Sequence, residues 1–286
     1  ERIRLGEEAL AIAGRPDDLY ARVEVERWLA LSHQEAGNTQ RVRELAVMFR
    51  GDAEQNGVLL YRYIAAGIDA FLALLEGRWE EAEGFIRKAA ELGQGSGDLA
   101  TEGVAGAQFM MLTRELGRLK ALEPALRQFT DDPLTHPWGP AIAAVFIELG
   151  AIDEARDVFE RMAKAGFANL PKDELYLTTL TFMAETCVAL EDSKRAAELY
   201  QGLLPYAGQM VVQPTAVCYG PDDLYQIAAL PKHLEVFVKE LVALVITGGA
   251  GAKLFELRLG ENRIRPGVFH HGSHVSSPAP IAEPIL

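Results

Sequence analysis

Near the end of the chain three histidines fall within five residues: His270, His271 and His274, in "HHGSH". Imidazoles at such spacing can take zinc. The residues immediately around them are Pro- and Ser-rich and offer no carboxylate or cysteine partner, so a solvated tail is the favoured reading. "GGAGAKLF" (248–255) faintly suggests a phosphate loop, but it lacks the GxxxxGK(S/T) spacing and no strand-to-helix context frames it, so it reads as a flexible linker. The carboxylate pairs Glu80–Glu81 and Asp222–Asp223 have the composition that general acid–base work uses. Helix first turns attract acids through the dipole, which explains them more simply. The Asp pairs at 17–18, 131–132 and 222–223 each precede or open a helical stretch, where they serve as caps. Cys187 sits at an interior helix position beside Met183 and Val188, which suits a core thiol better than a nucleophile. Neither GxSxG, HExxH nor a cyclase-type metal motif occurs. The expectation is a chain with no catalytic residues, no cofactor and no metal.

Composition narrows the classes further. The chain has 286 residues, 49% apolar and 24% charged, with mean hydropathy +0.03, as in a soluble globular protein with length for a sizeable core. Lys and Arg number 28 against 41 Asp and Glu, a formal charge of −13, which argues against direct nucleic-acid contact. The two cysteines, Cys187 and Cys218, are far apart and fit neither a disulfide framework nor a zinc site. No basic stretch followed by an apolar one opens the chain, so no signal peptide is expected, and "VFVKELVALVIT" (236–247) is too short and too charged to cross a bilayer. A cytoplasmic location without membrane contact is expected. The chain opens at Glu1 in what reads as mid-helix, as a piece of something longer or a processed product would.

The elements that would position any site are helical. Apolar residues recur at three- and four-residue steps through most of 1–207. In "EEAEGFIRKAAEL" the stripe is Ala82, Phe85, Ile86, Ala89, Ala90 and Leu92, with charged residues mostly opposite. Period-two alternation is scarce, and "GQMVVQP" (208–214) is the best extended candidate. Breakers fall at 14–18, 93–98, 130–140, 169–174 and 204–208. The fold class is all-α.

These helices repeat. Gly37, Gly77, Gly117, Gly150 and Glu191 each end one helix just before the next, at separations of 40, 40, 33 and 41 residues. Two residues after each anchor stand Thr39, Trp79, Leu119, Ile152 and Ser193. Five after come Val42, Ala82, Leu122, Ala155 and Ala196; nine after, Ala46, Ile86, Leu126, Phe159 and Tyr200; twelve after, Phe49, Ala89, Phe129, Met162 and Leu203. A glycine at the helix C′ position permits the left-handed turn, and the apolar positions behind it pack one helical hairpin on the next. This register resembles the tetratricopeptide repeat, which implies a right-handed α-α superhelix, a solenoid of about five hairpins stabilised by stacking. The early aromatic of that family is mostly missing, Trp28 being its nearest trace.

Longer phrases carry a narrower resemblance. "LALLEGRWEEAE", "RELGRLKALEPALRQF", the run from "ELGAIDEARDVFERM" through "LLPYAGQMVV", and "AVCYGPDDLY" resemble the C-terminal helical-repeat region of bacterial signal-transduction ATPases. Those proteins carry an adenylate/guanylate cyclase domain in one branch and a LuxR-type helix-turn-helix in another. The resemblance implies a regulatory region whose ATP and cyclase chemistry lies outside this chain. Its rival is a free-standing scaffold that binds a peptide or partner protein, and a helical enzyme is a third class for which the sequence offers no polar pocket. The expected organisation is a repeat domain over 1–230, a divergent terminal helix and linker over 231–259, and a disordered tail over 260–286, from an altered reading frame or a divergent ending.

If the repeats stack as the resemblance implies, residues thirteen, ten, six and three before the anchors line a concave groove. These are Glu24, Arg27, Leu31 and Gln34, then Phe71 and Leu74, Met111 and Arg114, and Thr181 and Glu185. Such a groove suits a peptide, a partner protein, the upstream ATPase domain or a small effector. The alternative is that neighbouring helices of the same protein cover it.

Overall fold

A computed structural model describes residues 1–13, 18–94, 99–128, 138–164, 166–214 and 216–221. The histidine cluster, the glycine-rich stretch, Asp17, the Asp131–Asp132 and Asp222–Asp223 pairs, Phe129, the helix expected over 232–247 and the expected tail lie outside these residues.

Within the described residues the chain is helical, with one small β-hairpin. Contacts divide the described residues into two units, one of 1–116 with 212–218, the other of 117–211 with 219–221.

In the first unit α1 (Arg2–Ala13), α2 (Leu19–Glu35), α3 (Thr39–Asn56), α4 (Leu59–Leu75), α5 (Trp79–Gln94) and α6 (Leu99–Glu115) each pack on the next. Two antiparallel hairpins are closed by the expected glycines. Gly37 and Gly77 both have φ 70°, the left-handed region that glycine adopts without steric cost. At each, two N–H groups turn back on the helix end: Gly37 donates to Gln34 and Asn38 to His33, Gly77 to Leu74 and Arg78 to Ala73. This paired closure satisfies carbonyls that a helix end otherwise leaves bare. The next helix starts two residues on, at Thr39 and Trp79, and Asn38 caps α3 by accepting from the Arg41 N–H at 3.3 Å.

Packing follows the register. Val42, Ala46 and Phe49 on α3 and Ala82, Ile86 and Ala89 on α5 are all buried. Ala70, Ala73 and Ala82 let α4 and α5 approach closely, and Leu74, Ile86 and Leu112 fill the space beside them. Leu29, Ala30 and Leu45 form a second cluster that Ile3 and Leu10 of α1 cover. Trp28 is no core aromatic: it is 51% exposed, with the Arg27 guanidinium 4.7 Å from its ring centre.

The second unit repeats the scheme. A 3₁₀ turn (Leu119–Leu122) leads into α7 (Glu123–Gln128), followed by α8 (Gly139–Leu149), α9 (Ile152–Lys164), α10 (Tyr176–Ala189) and α11 (Ser193–Leu203). Gly150 (φ 77°) closes α8 on α9 through Gly150→Ile147 and Ala151→Phe146. Glu191 (φ 58°) closes α10 on α11 through Glu191→Val188 and Asp192→Cys187. Asp192 caps α11 by accepting from the Arg195 N–H at 3.1 Å. α8 packs on both α9 and α10, and Ala155, Phe159, Met162, Ala196 and Leu203 are buried as the register requires. Ile152, two residues after its anchor, is 41% exposed.

Two expectations need correction. The segment after Gly117 is not one second helix: Pro124 lacks the N–H that would bond the Lys120 carbonyl, so a 3₁₀ turn precedes a short α-helix. Gly117 is left-handed as expected (φ 68°), but the unit boundary falls there, and α6 belongs to the first unit. The extended candidate is β1 (Met210–Gln213), and it has a partner, β2 (Val217–Pro221). The connection is too short for anything but an antiparallel pair, and the Ala216 N–H donates to the Gln213 carbonyl at 3.0 Å. No described helix is long and apolar enough to cross a membrane.

Candidate functional site

α2 carries the first set of expected groove residues on one stripe. The Arg27 guanidinium donates to the Glu24 carboxylate at 2.8 Å. Burial alone would raise the Glu24 pKa, but hydrogen bonds from Arg27, Tyr61 and Trp28 outweigh it and hold the carboxyl below its ordinary range. These two residues are half-buried; Leu31 and Gln34 further along the stripe are buried, at 7% and 4% exposure. The Gln34 side-chain amide has no hydrogen-bond partner at either atom.

Phe71, Leu74 and Met111 do come together, but not as an open surface. Each is 3–4% exposed, and Val217 and Cys218 at the start of β2 line the same small cavity. Glu115 and Leu75 complete the lining of this cavity of about 10 Å³. That is the lower limit for one water and far below the few hundred Å³ a small-molecule site needs. Arg114 is half-buried. In the second unit Thr181 is fully buried, its hydroxyl donating to the Leu177 carbonyl at 2.8 Å, and Glu185 is half-buried.

Two sets of residues were not singled out from sequence. Gln108 is fully buried in α6, and its side-chain amide donates to the Gly67 carbonyl of α4 at 2.8 Å and to the Ala216 carbonyl at 2.9 Å. The available signal was a glutamine inside the apolar run "GVAGAQFMML". The second set joins α2 and α3. Arg22 makes a two-pronged pair with Asp52, one contact at 2.6 Å, and Glu26 lies fully enclosed beside them. The Glu26 pKa is pushed up to about 8, by burial first and then by the Asp52 charge, with Arg22 acting the other way.

Cys187 is a core thiol. It is 1% exposed, its Sγ donates to the Asp192 carbonyl at 3.1 Å, and burial followed by the Asp192 charge pushes its pKa up to about 12. A thiol held protonated is a poor nucleophile. Among the described residues no group of three His, Cys, Asp or Glu side chains is placed to hold a metal.

No protein-family model matches the chain. No curated protein and no solved structure matches it significantly.

Proposed function

We propose that this chain is a regulatory protein-interaction region whose tetratricopeptide-like hairpins wind into a right-handed superhelix. One observation carries the reading: five residues spaced 33 to 41 apart are all left-handed, and a new helical segment starts two residues after each. A chain built on such recurring turns buries each hairpin against the next and leaves one helix face for a ligand. The cavity on α4 and α6 is too small for a drug-sized effector.

The resemblance of the quoted phrases to bacterial signal-transduction ATPases extends the proposal. The region senses a partner in the cytoplasm and, by shifting packing between repeats and an upstream ATPase, biases a nucleotide cyclase or LuxR-type output domain. The reading frame upstream of Glu1 tests this part. A Walker-type loop followed by this chain supports it; a start codon close by supports the free-standing scaffold instead. Small-angle scattering tests the superhelix: a radius of gyration near the roughly 19 Å of a compact globule of this length would sink it.

A further inference from the structure

The face formed by α4 and α6 holds a strand. Val212, Ala216, Val217 and Cys218 are all buried in the first unit, although they follow α6 by about a hundred residues. Val217 and Cys218 line one small cavity with Phe71, Leu74 and Met111, which stand six and three residues before their anchors, the positions expected to line the groove. One polar contact from the helices is to main chain: the Gln108 side-chain amide donates to the Ala216 carbonyl and to the Gly67 carbonyl of α4. Main-chain recognition flanked by shallow apolar contacts is how a protein accepts an extended peptide of loosely defined sequence.

The occupant is weakly built in its own right. Two strands of four and five residues have too little ladder to stand alone in water, so the helices hold the segment in place. The void of about 10 Å³ beneath it marks imperfect packing. A two-stranded ladder this short, held from outside by helices, belongs to the part of a protein that opens before the rest unfolds.

From this we infer that the α4–α6 face is a receptor for an extended apolar segment, occupied in the resting chain by residues 212–218. The partner it takes has the chemistry of that occupant: an extended stretch with β-branched side chains around a small residue whose carbonyl meets the Gln108 amide. This deepens the interaction reading above and rests on it.

The two cysteines make the test direct, since Cys218 lies in the segment and Cys187 in the core of α10. The intact chain is labelled with a thiol reagent under native conditions and each site is followed by peptide mass. Cys218 is expected to label about tenfold faster than Cys187, or more, through local opening. A synthetic peptide of residues 210–221, with serine for its cysteine, traps the open face and speeds Cys218 labelling several-fold; a scrambled peptide does not. Gln108→Leu gives the same acceleration without peptide and leaves Cys187 unchanged. Equal rates at the two cysteines, or no response to millimolar peptide, overturn the inference. If scattering still gives a superhelix, such a result leaves the interaction-region proposal standing.

Discussion

Glu191 closes its hairpin at φ 58°, where the four equivalent positions use glycine. A side chain in the left-handed region costs about 1–2 kcal/mol through its Cβ. Glu191→Gly is therefore expected to raise stability by about 1 kcal/mol, seen as a higher urea midpoint with an unchanged slope. Glu26 makes the residue-scale prediction for pH. Its folded pKa of about 8 lies above the 4.5 of an exposed glutamate, so between those values the folded chain keeps a proton that the unfolded chain releases. Stability from this group is complete below pH 4.5 and is lost as pH rises towards 8. Glu26→Gln keeps the neutral form throughout. Thermal melts at pH 5 and pH 9 should agree closely with wild type at the first and show the variant more stable at the second. A constant difference across that range would mean that the Glu26 carboxyl is not driven to its neutral form by the fold.

At the scale of elements, caps and crossings decide what forms. Asn38→Ala and Asp192→Ala each remove a side chain that accepts from the first turn of its helix, at an expected cost of about 1 kcal/mol by denaturant titration. Phe49→Ala empties a fully buried site on α3 and should cost about 3–5 kcal/mol, measured the same way. The turns themselves were legible in the sequence, because a left-handed closure followed two residues later by a helix start is local chemistry. The residues 119–128 were less so: the repeat register predicted one helix, and Pro124 divided it. β2 was missed because "VCYGP" is too short to show a period, and its place depends on helices far away in the chain. For the same reason the groove residues could be named but not their exposure. Nothing about Phe71, Leu74 or Met111 says that residues from beyond position 210 will stand beside them, and Gln108 betrays that only through its odd polarity in an apolar run.

On the scale of the whole molecule, charge sets what the chain avoids. With a formal charge of −13 it should show no binding to duplex DNA by fluorescence anisotropy, even at low salt where phosphate attraction is strongest. The interhelical ion pairs Arg41–Glu7, Arg43–Glu76 and Arg195–Glu160, each 2.7 Å at its closest, are partly exposed. Pairs of this kind contribute little stability.

The Gln108–Ala216 bond joins residues 108 positions apart, whereas each hairpin closure joins residues at most five apart. During synthesis the hairpins can therefore form as soon as their helices leave the ribosome, while the α4–α6 face waits for its strand. At bacterial and eukaryotic elongation rates that interval is roughly 5 to 20 s. For that time Phe71, Leu74 and Met111 of a newborn copy lack the two residues, Val217 and Cys218, that stand beside them in the folded chain.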